Sequence, residues 1–438
     1  MARRQLRMVA VTSAAAVLLS ACAGAGDVAE TEDADLDVST GVTDDTVTIG
    51  THSPLTGPAS PGYSSIPVGA EAVFDYANDQ GGIHDREIEY IIEDDVYDPT
   101  NTVEVTEELI HREEIFAMVG GLGTPTHSQV IDTLNNEGVP DLFVSSGALL
   151  WNKPEEYPLT YGYQVDYTRE GKIQGEYIAE NFPDADVGYL QQGDDIADDA
   201  AEGLNMYLED QVVAEETYEP GEDAIDEQME ALATAEAEVV VCSCVPNYVA
   251  MMVLTAESIG YEPQFVVSSI GGDTVFLLQL LQEFTDDDVP ASALLEGLIA
   301  TGYLPQAEQS DDPWVALFAD IHEEYIPDEP FTDTLLYGMV QGVKFVQLLE
   351  EAGEDLTRQT LIDTINDTEL SGPGLVPFVA EEGDHSGFTG AYVSEFVDEG
   401  QVDVVQEPMV TGRDEGDEIE TFDLQRPTPD GVEPFASW

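Results

Sequence analysis

From residue 46 to residue 270 the chain alternates between short apolar runs with strand periodicity and longer amphipathic runs with helical periodicity. Few folds accommodate that alternation. Residues 47–50 read as a strand, and residues 68–78 as a helix with Val68, Ala72, Val73 and Tyr76 on one face and Gly81-Gly82 as its stop. Strands over 87–93, 115–119 and 142–144 alternate with helices over 100–111 and 128–136. After a loop rich in Pro and Trp (151–158) the series resumes, with helices over 171–181, 200–208, 227–235 and 248–259 and strands over 187–190, 239–241 and 264–267. Strands separated by helices need crossover connections and form parallel sheets covered on both faces. The expected fold class is therefore α/β, with two lobes, one for each series. A long helix over 334–351 and a strand over 391–397 complete the body. Residues 412–438, acidic and Pro-containing, read as a loose tail.

The N-terminus reads as an address. Arg3, Arg4 and Arg7 precede an apolar stretch from Met8 to Leu19, followed by Leu19-Ser20-Ala21-Cys22. Basic, then apolar, then small residues is the layout of an export signal. The apolar stretch, about 12 residues, falls short of the roughly 20 needed to cross a bilayer. Leu-Ser-Ala-Cys resembles a bacterial lipobox, which implies cleavage after Ala21 and a lipid on Cys22. Residues 22–45, acidic and poor in large apolar side chains, read as a disordered spacer.

Charge narrows the function. Removing residues 1–21 takes three of the 12 basic residues and none of the 91 acidic ones, leaving −82. Nucleic acid, which needs a basic face, is excluded as a partner. Anionic headgroups would be repelled too, so a membrane contact must come from the lipid. Self-repulsion on this scale needs screening and suggests salty or alkaline surroundings. General disorder is excluded, because 42% of residues are hydrophobic and fall in periodic blocks. About 390 residues between spacer and tail suffice for two cores. No later apolar run reaches membrane-spanning length.

In open parallel sheets, ligands sit beyond the C-terminal strand ends. Gly120-Gly121-Leu122-Gly123-Thr124-Pro125-Thr126-His127 follows a strand, with Thr124 read as a helix cap and Pro125 in the first turn. Thr124, Thr126 and the turn Ser145-Ser146-Gly147 are candidate ligand contacts on the first lobe. Cys244 and Ser269, after strands of the second series, are candidates on the facing wall, with Tyr63 and Tyr167 as apolar walls. Arg169 reads as a surface ion pair, and His127 as a ligand contact or surface residue rather than a base. Cys242 and Cys244 read as buried free thiols. No G-x-S-x-G elbow, H-E-x-x-H helix or P-loop occurs, so no enzyme, metal or cofactor is expected.

Together, Ser53-Pro54-Leu55-Thr56-Gly57, Gly69-Ala70, Asn78-Asp79-Gln80-Gly81-Gly82-Ile83, Asp94-Asp95, Asp98-Pro99, Gly120-Gly121, Thr124-Pro125-Thr126 and Val139-Pro140 resemble type I periplasmic binding proteins. The branch is that of the leucine/isoleucine/valine-binding receptors of ABC transporters, and the likeness spans roughly residues 46–410. The resemblance implies two Rossmann-like lobes joined by a three-crossing hinge, with crossings near Gln164, Thr301 and Ser371. The lobes would be 46–164 with 301–371 and 165–300 with 372–411. It further implies a ligand carboxylate at Thr124 and the Ser145–Gly147 turn, and an acid for the ammonium where this chain has Ser269. Asp273 could substitute; otherwise an organic acid, aromatic acid or amide is implied. Ile196 stands where an aromatic residue is usual. The implied function is a monomeric, lipid-anchored, extracytoplasmic receptor handing a small polar solute to an ABC permease. A ligand sensor of the same fold and an extracellular hydrolase are the alternatives.

Overall fold

The computed structural model describes residues 36–57, 59–284, 290–398, 401–423 and 425–438. The export signal and Cys22 lie outside them. Strands are numbered β1 (Thr46–Ser53), β2 (Glu87–Asp94), β3 (Met118–Val119), β4 (Asp141–Val144), β5 (Thr160–Gly162), β6 (Val187–Gln192), β7 (Val212–Tyr218), β8 (Val239–Ser243), β9 (Gln264–Val267), β10 (Ile299–Gly302), β11 (Phe378–Glu381), β12 (Asp384–Phe388), β13 (Gly390–Asp398), β14 (Gln401–Val410) and β15 (Glu420–Thr421).

Among the described residues, the first sheet runs β2-β1-β3-β4-β5, all parallel. The second begins with the same winding: β7-β6-β8-β9-β10 are parallel, and β13, β14 and β15 extend it antiparallel beyond β10. Each sheet therefore has a switch point, between β1 and β3 in one and between β6 and β8 in the other. There the connections leave in opposite directions and open a crevice at the C-terminal strand ends.

Several helices carry the caps their sequences supply. Asp98 accepts from Thr100 N and Asn101 N at the start of Pro99–His111, with Pro99 in the first turn, and Asp166 accepts from Arg169 N at the start of Tyr167–Asn181. In both lobes the main helix pair packs through glycine. Helix Ser65–Asp79 lies against Asp333–Ala352 with a Cβ on Gly338 barred by the Ile66 carbonyl, and Tyr167–Asn181 lies against Asp195–Leu208 with a Cβ on Gly203 barred by the Thr168 carbonyl. That contact places Asp333–Ala352 in the first lobe, where Leu336, Met339 and Val340 share a core with Ile49 and Val119.

Four expectations are corrected. The third crossing is not near Ser371, because Val376, Ala380 and Phe388 still belong to the first-lobe core and the chain passes to the second sheet between β12 and β13. The tail is not loose: Val432 and Phe435 are buried in that core, Trp314 Nε1 donates to Pro427 O at 2.8 Å, and Arg426 pairs with Asp312. Its apolar residues are few but large, so sparse patterning understates their burial. Residues 36–45 of the spacer are also held, with Gln359 N donating to Leu36 O and Ser39 Oγ to Leu356 O. Finally, Cys242 and Cys244 form a disulfide rather than free thiols. Strand alternation puts both side chains on one side, and their Cα atoms, 5.2 Å apart, fall within bridging range.

Candidate functional site

The two switch points face each other across a cavity between the lobes. From the first lobe, the loop after β3 contributes Leu122, Gly123 and Thr124, and the turn after β4 contributes Ser145. Gly123 has φ +104°, and a Cβ on it would strike the Tyr97 ring, so this close turn requires glycine. From the second lobe come Ile196, Val245, Ser269 and Ile270. Five tyrosines (63, 97, 167, 303 and 337) complete the wall.

Polar atoms converge on one side. Thr124 Oγ1 lies 2.7 Å from Ser146 Oγ and 3.3 Å from Tyr167 Oη, and Ser146 Oγ lies 3.4 Å from that phenol. Thr124 is thus not a cap. Gly123 occupies the cap position, and the threonine hydroxyl joins this trio instead. Ser145 Oγ accepts from Gln341 Nε2 at 2.7 Å, which ties the β4 turn to helix Asp333–Ala352. Tyr337 Oη donates to Gln164 Oε1 at 3.3 Å, while Gln164 Nε2, in a residue only 5% exposed, has no partner. Burial raises the phenols of all five tyrosines, that of Tyr167 to about 12, so they remain protonated donors.

Of the residues singled out in the sequence, Tyr63, Thr124, Ser145, Tyr167 and Ser269 line the cavity. Ser146 stands one bond behind, through Thr124. Gly147 gives Tyr167 room, since a Cβ there would press on its ring. Thr126 does not reach the cavity; its hydroxyl donates to Leu122 O at 2.6 Å inside the loop. Cys244 is buried in the second-lobe core by its disulfide, and Val245 takes the lining position. Arg169 is not on the surface: at 8% exposure it donates to Asp166 Oδ2 at 2.7 Å and to Thr411 O at 2.9 Å.

His127 is neither a surface residue nor placed to touch a ligand. It lies fully buried beneath the β3 loop in a line of side chains. Asp95 Oδ2 is 2.8 Å from His52 Nδ1, His52 Nε2 is 2.8 Å from His127 Nδ1, and His127 Nε2 is 2.9 Å from Asp141 Oδ2. Gly121 lies directly against this pair, for a Cβ on it would meet both imidazoles. Burial, the largest influence on His52, lowers its pKa.

The lobes meet over the cavity. Tyr63 Oη donates to Ile270 O at 2.7 Å, Leu149 N to Asp199 Oδ2 at 2.8 Å, and Gln192 Nε2 to Tyr97 Oη at 3.3 Å. Asp273 Oδ2 accepts from Thr334 N and Thr334 Oγ1 at 2.8 and 2.9 Å. These contacts describe a closed cleft. An adjoining chamber shares Ser269, Tyr303, Thr334 and Tyr337 with the first and is lined also by Asp273 and Asp333. Among the described residues no group of His, Cys, Asp and Glu could hold a metal, and no helix is long and apolar enough to cross a membrane. The missed wall residues Tyr97, Tyr303 and Tyr337 carried no local signal among 18 tyrosines.

Comparison with known proteins agrees with this geometry. Residues 46–401 match the family model described as periplasmic binding protein. The chain is 24% identical over 283 residues to Leu/Ile/Val-binding protein homolog 1 of Brucella abortus, covering 60% of this chain and 73% of that protein. Among solved structures, a fatty acid ABC transporter substrate-binding protein from Thermomonospora curvata shares the fold at TM-score 0.73 and 19% identity, over 90% of this chain and 97% of that one. A branched chain amino acid ABC transporter from Thermus thermophilus, with bound valine, does so at TM-score 0.73 and 19% identity, over 85% and 98%. With its doubly repeated winding, its interlobe cavity and a family match over most of its length, this chain belongs to the type I periplasmic binding proteins, in the family of the Leu/Ile/Val-binding proteins.

Proposed function

We propose that the chain is the solute receptor of an ABC importer. It captures a small polar molecule (an amino acid, an organic or aromatic acid, or an amide) between its lobes and delivers it to a membrane permease. The lipid expected on Cys22 keeps the receptor extracytoplasmic and within reach of that permease. The reading rests above all on the closed cleft, in which contacts from both lobes surround a cavity walled by both switch points. Affinity then comes from desolvation and oriented hydrogen bonds, and closure distinguishes a loaded receptor from an empty one. The relatives' names, which speak of binding and transport, support the same reading.

Capture predicts stabilisation without turnover. A compound present at a hundred times its Kd should raise unfolding stability by about 2.7 kcal/mol, measurable as a thermal shift in high salt. Thr124→Ala should weaken that compound several-fold by removing the hydroxyl that organises Ser146 and Tyr167. Unchanged affinity would move the site elsewhere, and product release from amides or esters would favour a hydrolase.

A further inference from the structure

We propose that the buried chain Asp95–His52–His127–Asp141 holds one proton more than two neutral imidazoles and two ionised carboxylates would carry. That proton keeps the loop 120–124, which walls the cavity, in place, and its loss at alkaline pH releases the loop. The inference goes beyond the capture reading, and its test needs no solute.

The proton count comes from geometry. Three hydrogen bonds make up the chain, between Asp95 and His52, His52 and His127, and His127 and Asp141, at 2.8, 2.8 and 2.9 Å. Each needs a proton between its heavy atoms. Two neutral imidazoles supply one apiece. With both directed at the carboxylates, the lone pairs of His52 Nε2 and His127 Nδ1 would face each other at 2.8 Å. A third proton removes that clash. Burial works against a charge on His52, so the proton falls to His127. There it faces Asp141, whose Oδ1 is buried and accepts nothing.

The surroundings favour the same count. All four residues are fully buried. Without the third proton two carboxylates would be ionised there with no cation between them, a costly arrangement. The ionisable groups facing the pair are Asp95, in the loop after β2, Asp141, on β4, and Tyr97, whose N donates to Asp95 Oδ1 at 2.9 Å and whose phenol burial keeps protonated. Helix Pro99–His111 and β5 bring the hydroxyls of Thr102 and Thr160, and the turn Leu149–Trp151 an indole edge-on to His127. Groups this close titrate as a unit.

The loop rests on the chain at several points. Gly121 covers the contact between the rings, since a Cβ on it would strike both. Leu122 N donates to His52 O at 3.2 Å. His127 ends the short helix that Thr124 begins, and the Thr124 hydroxyl belongs to the trio with Ser146 and Tyr167. Once the third proton leaves, the facing lone pairs repel and one ring must move. Gly121 has no side chain to absorb that movement, so its backbone shifts and takes Leu122 and Thr124 with it.

The test follows the intact receptor in molar salt by 15N-histidine NMR and by hydrogen exchange of the 120–128 segment. One buried histidine should show both ring nitrogens protonated at neutral pH and lose a proton between about pH 7 and 10. Over the same range, protection of the segment, corrected for intrinsic exchange, should fall at least about tenfold. His127→Asn offers His52 an amide donor that does not titrate, and should make that protection independent of pH. A pair that is neutral at every pH overturns the count. A proton kept beyond about pH 10, or lost without loosening the segment, overturns the release. Loosening that persists unchanged in His127→Asn assigns it to another group and overturns the role of the pair.

Discussion

Replacing Asp273 by alanine should weaken the hold of one lobe on the other by a predictable amount. Its carboxylate sits at the N-terminal ends of two helices from opposite lobes. Oδ1 accepts from Phe276 N at 2.9 Å within Thr274–Phe284, and Oδ2 accepts from Thr334 N and Oγ1 at 2.8 and 2.9 Å at the start of Asp333–Ala352. Only the last two cross the cleft. Hydrogen bonds to an ionised group typically net about 1.5–3 kcal/mol each. Here, however, burial pushes the Asp273 carboxyl above the usual aspartate range despite those bonds, so desolvation cancels the benefit of charge. The ordinary net value of about 0.5–1.5 kcal/mol per bond then applies, or roughly 1–3 kcal/mol for the two. That corresponds to an apparent affinity about 5- to 160-fold weaker, because a destabilised closed state taxes every ligand that needs it. Asp273→Asn keeps an acceptor for Thr334 across the cleft but turns an amide NH2 toward Phe276 N within its own lobe, so its loss of affinity should be smaller than that of Asp273→Ala. Calorimetry with the compound that gives the largest thermal shift reads affinity, and small-angle scattering reads lobe separation. Wild-type affinity in Asp273→Ala would refute the latch. Equal losses in the alanine and asparagine variants would refute the claim that desolvation cancels charge.

Two further substitutions test the framework around the cleft. Gly338→Ala would gain about 0.5–1 kcal/mol of helix propensity if space allowed, but its Cβ meets the Ile66 carbonyl, so a net loss of roughly 1–3 kcal/mol is expected. Stabilisation in urea unfolding would mean the two helices are not in close contact. Lys344 is fully buried, 4.4 Å from the centre of the Phe378 ring, and burial pushes its ammonium down to about 7. Unfolded, it stays charged up to its ordinary pKa, so its cost to stability is full below pH 7 and fades as pH rises through the window above. Wild type should therefore gain on Lys344→Met by about 1.4 kcal/mol per pH unit between roughly pH 7.5 and 9.5. Parallel pH profiles would show the buried lysine keeping its proton.

The framework was legible because burial imposes periodicity. The strand 264–267 and the helices over 100–111 and 171–181 follow from which residues face a core, and the structure holds each of them close to those limits. The strand expected over 115–119 is regular only at Met118–Val119, although Phe116 N still donates to Thr48 O and Gly50 N to Ala117 O between it and β1. The cleft was only half legible. Thr124, Ser145 and Ser269 follow strands and could be found from topology. Tyr97, however, leaves a turn with φ +59°, and Tyr337 lies on a helix, where it reads as core. The imidazoles of His52 and His127 meet across 75 residues of sequence, a pairing no local pattern encodes. Periodicity records what a residue packs against on its own element, whereas a cavity wall is assembled from elements brought together by topology.

The same separation of surface from cavity bears on salt. A net charge of −79 acts through exposed carboxylates, whose mutual repulsion is screened as the Debye length falls from about 8 Å at physiological ionic strength to about 3 Å at 1 M. No charged side chain is among the described residues that line the main cavity. Stability should then climb steeply with potassium chloride, while affinity, measured only where the protein is fully folded, should change by less than about threefold between roughly 1 and 3 M. The two dependences are read from urea midpoints and from calorimetry on the same samples. An affinity that rises in parallel with stability would tie binding to the surface charge and would contradict an uncharged site. A flat affinity over a steep stability would show that the acidity serves the solvent and the tyrosine-walled cleft serves the solute.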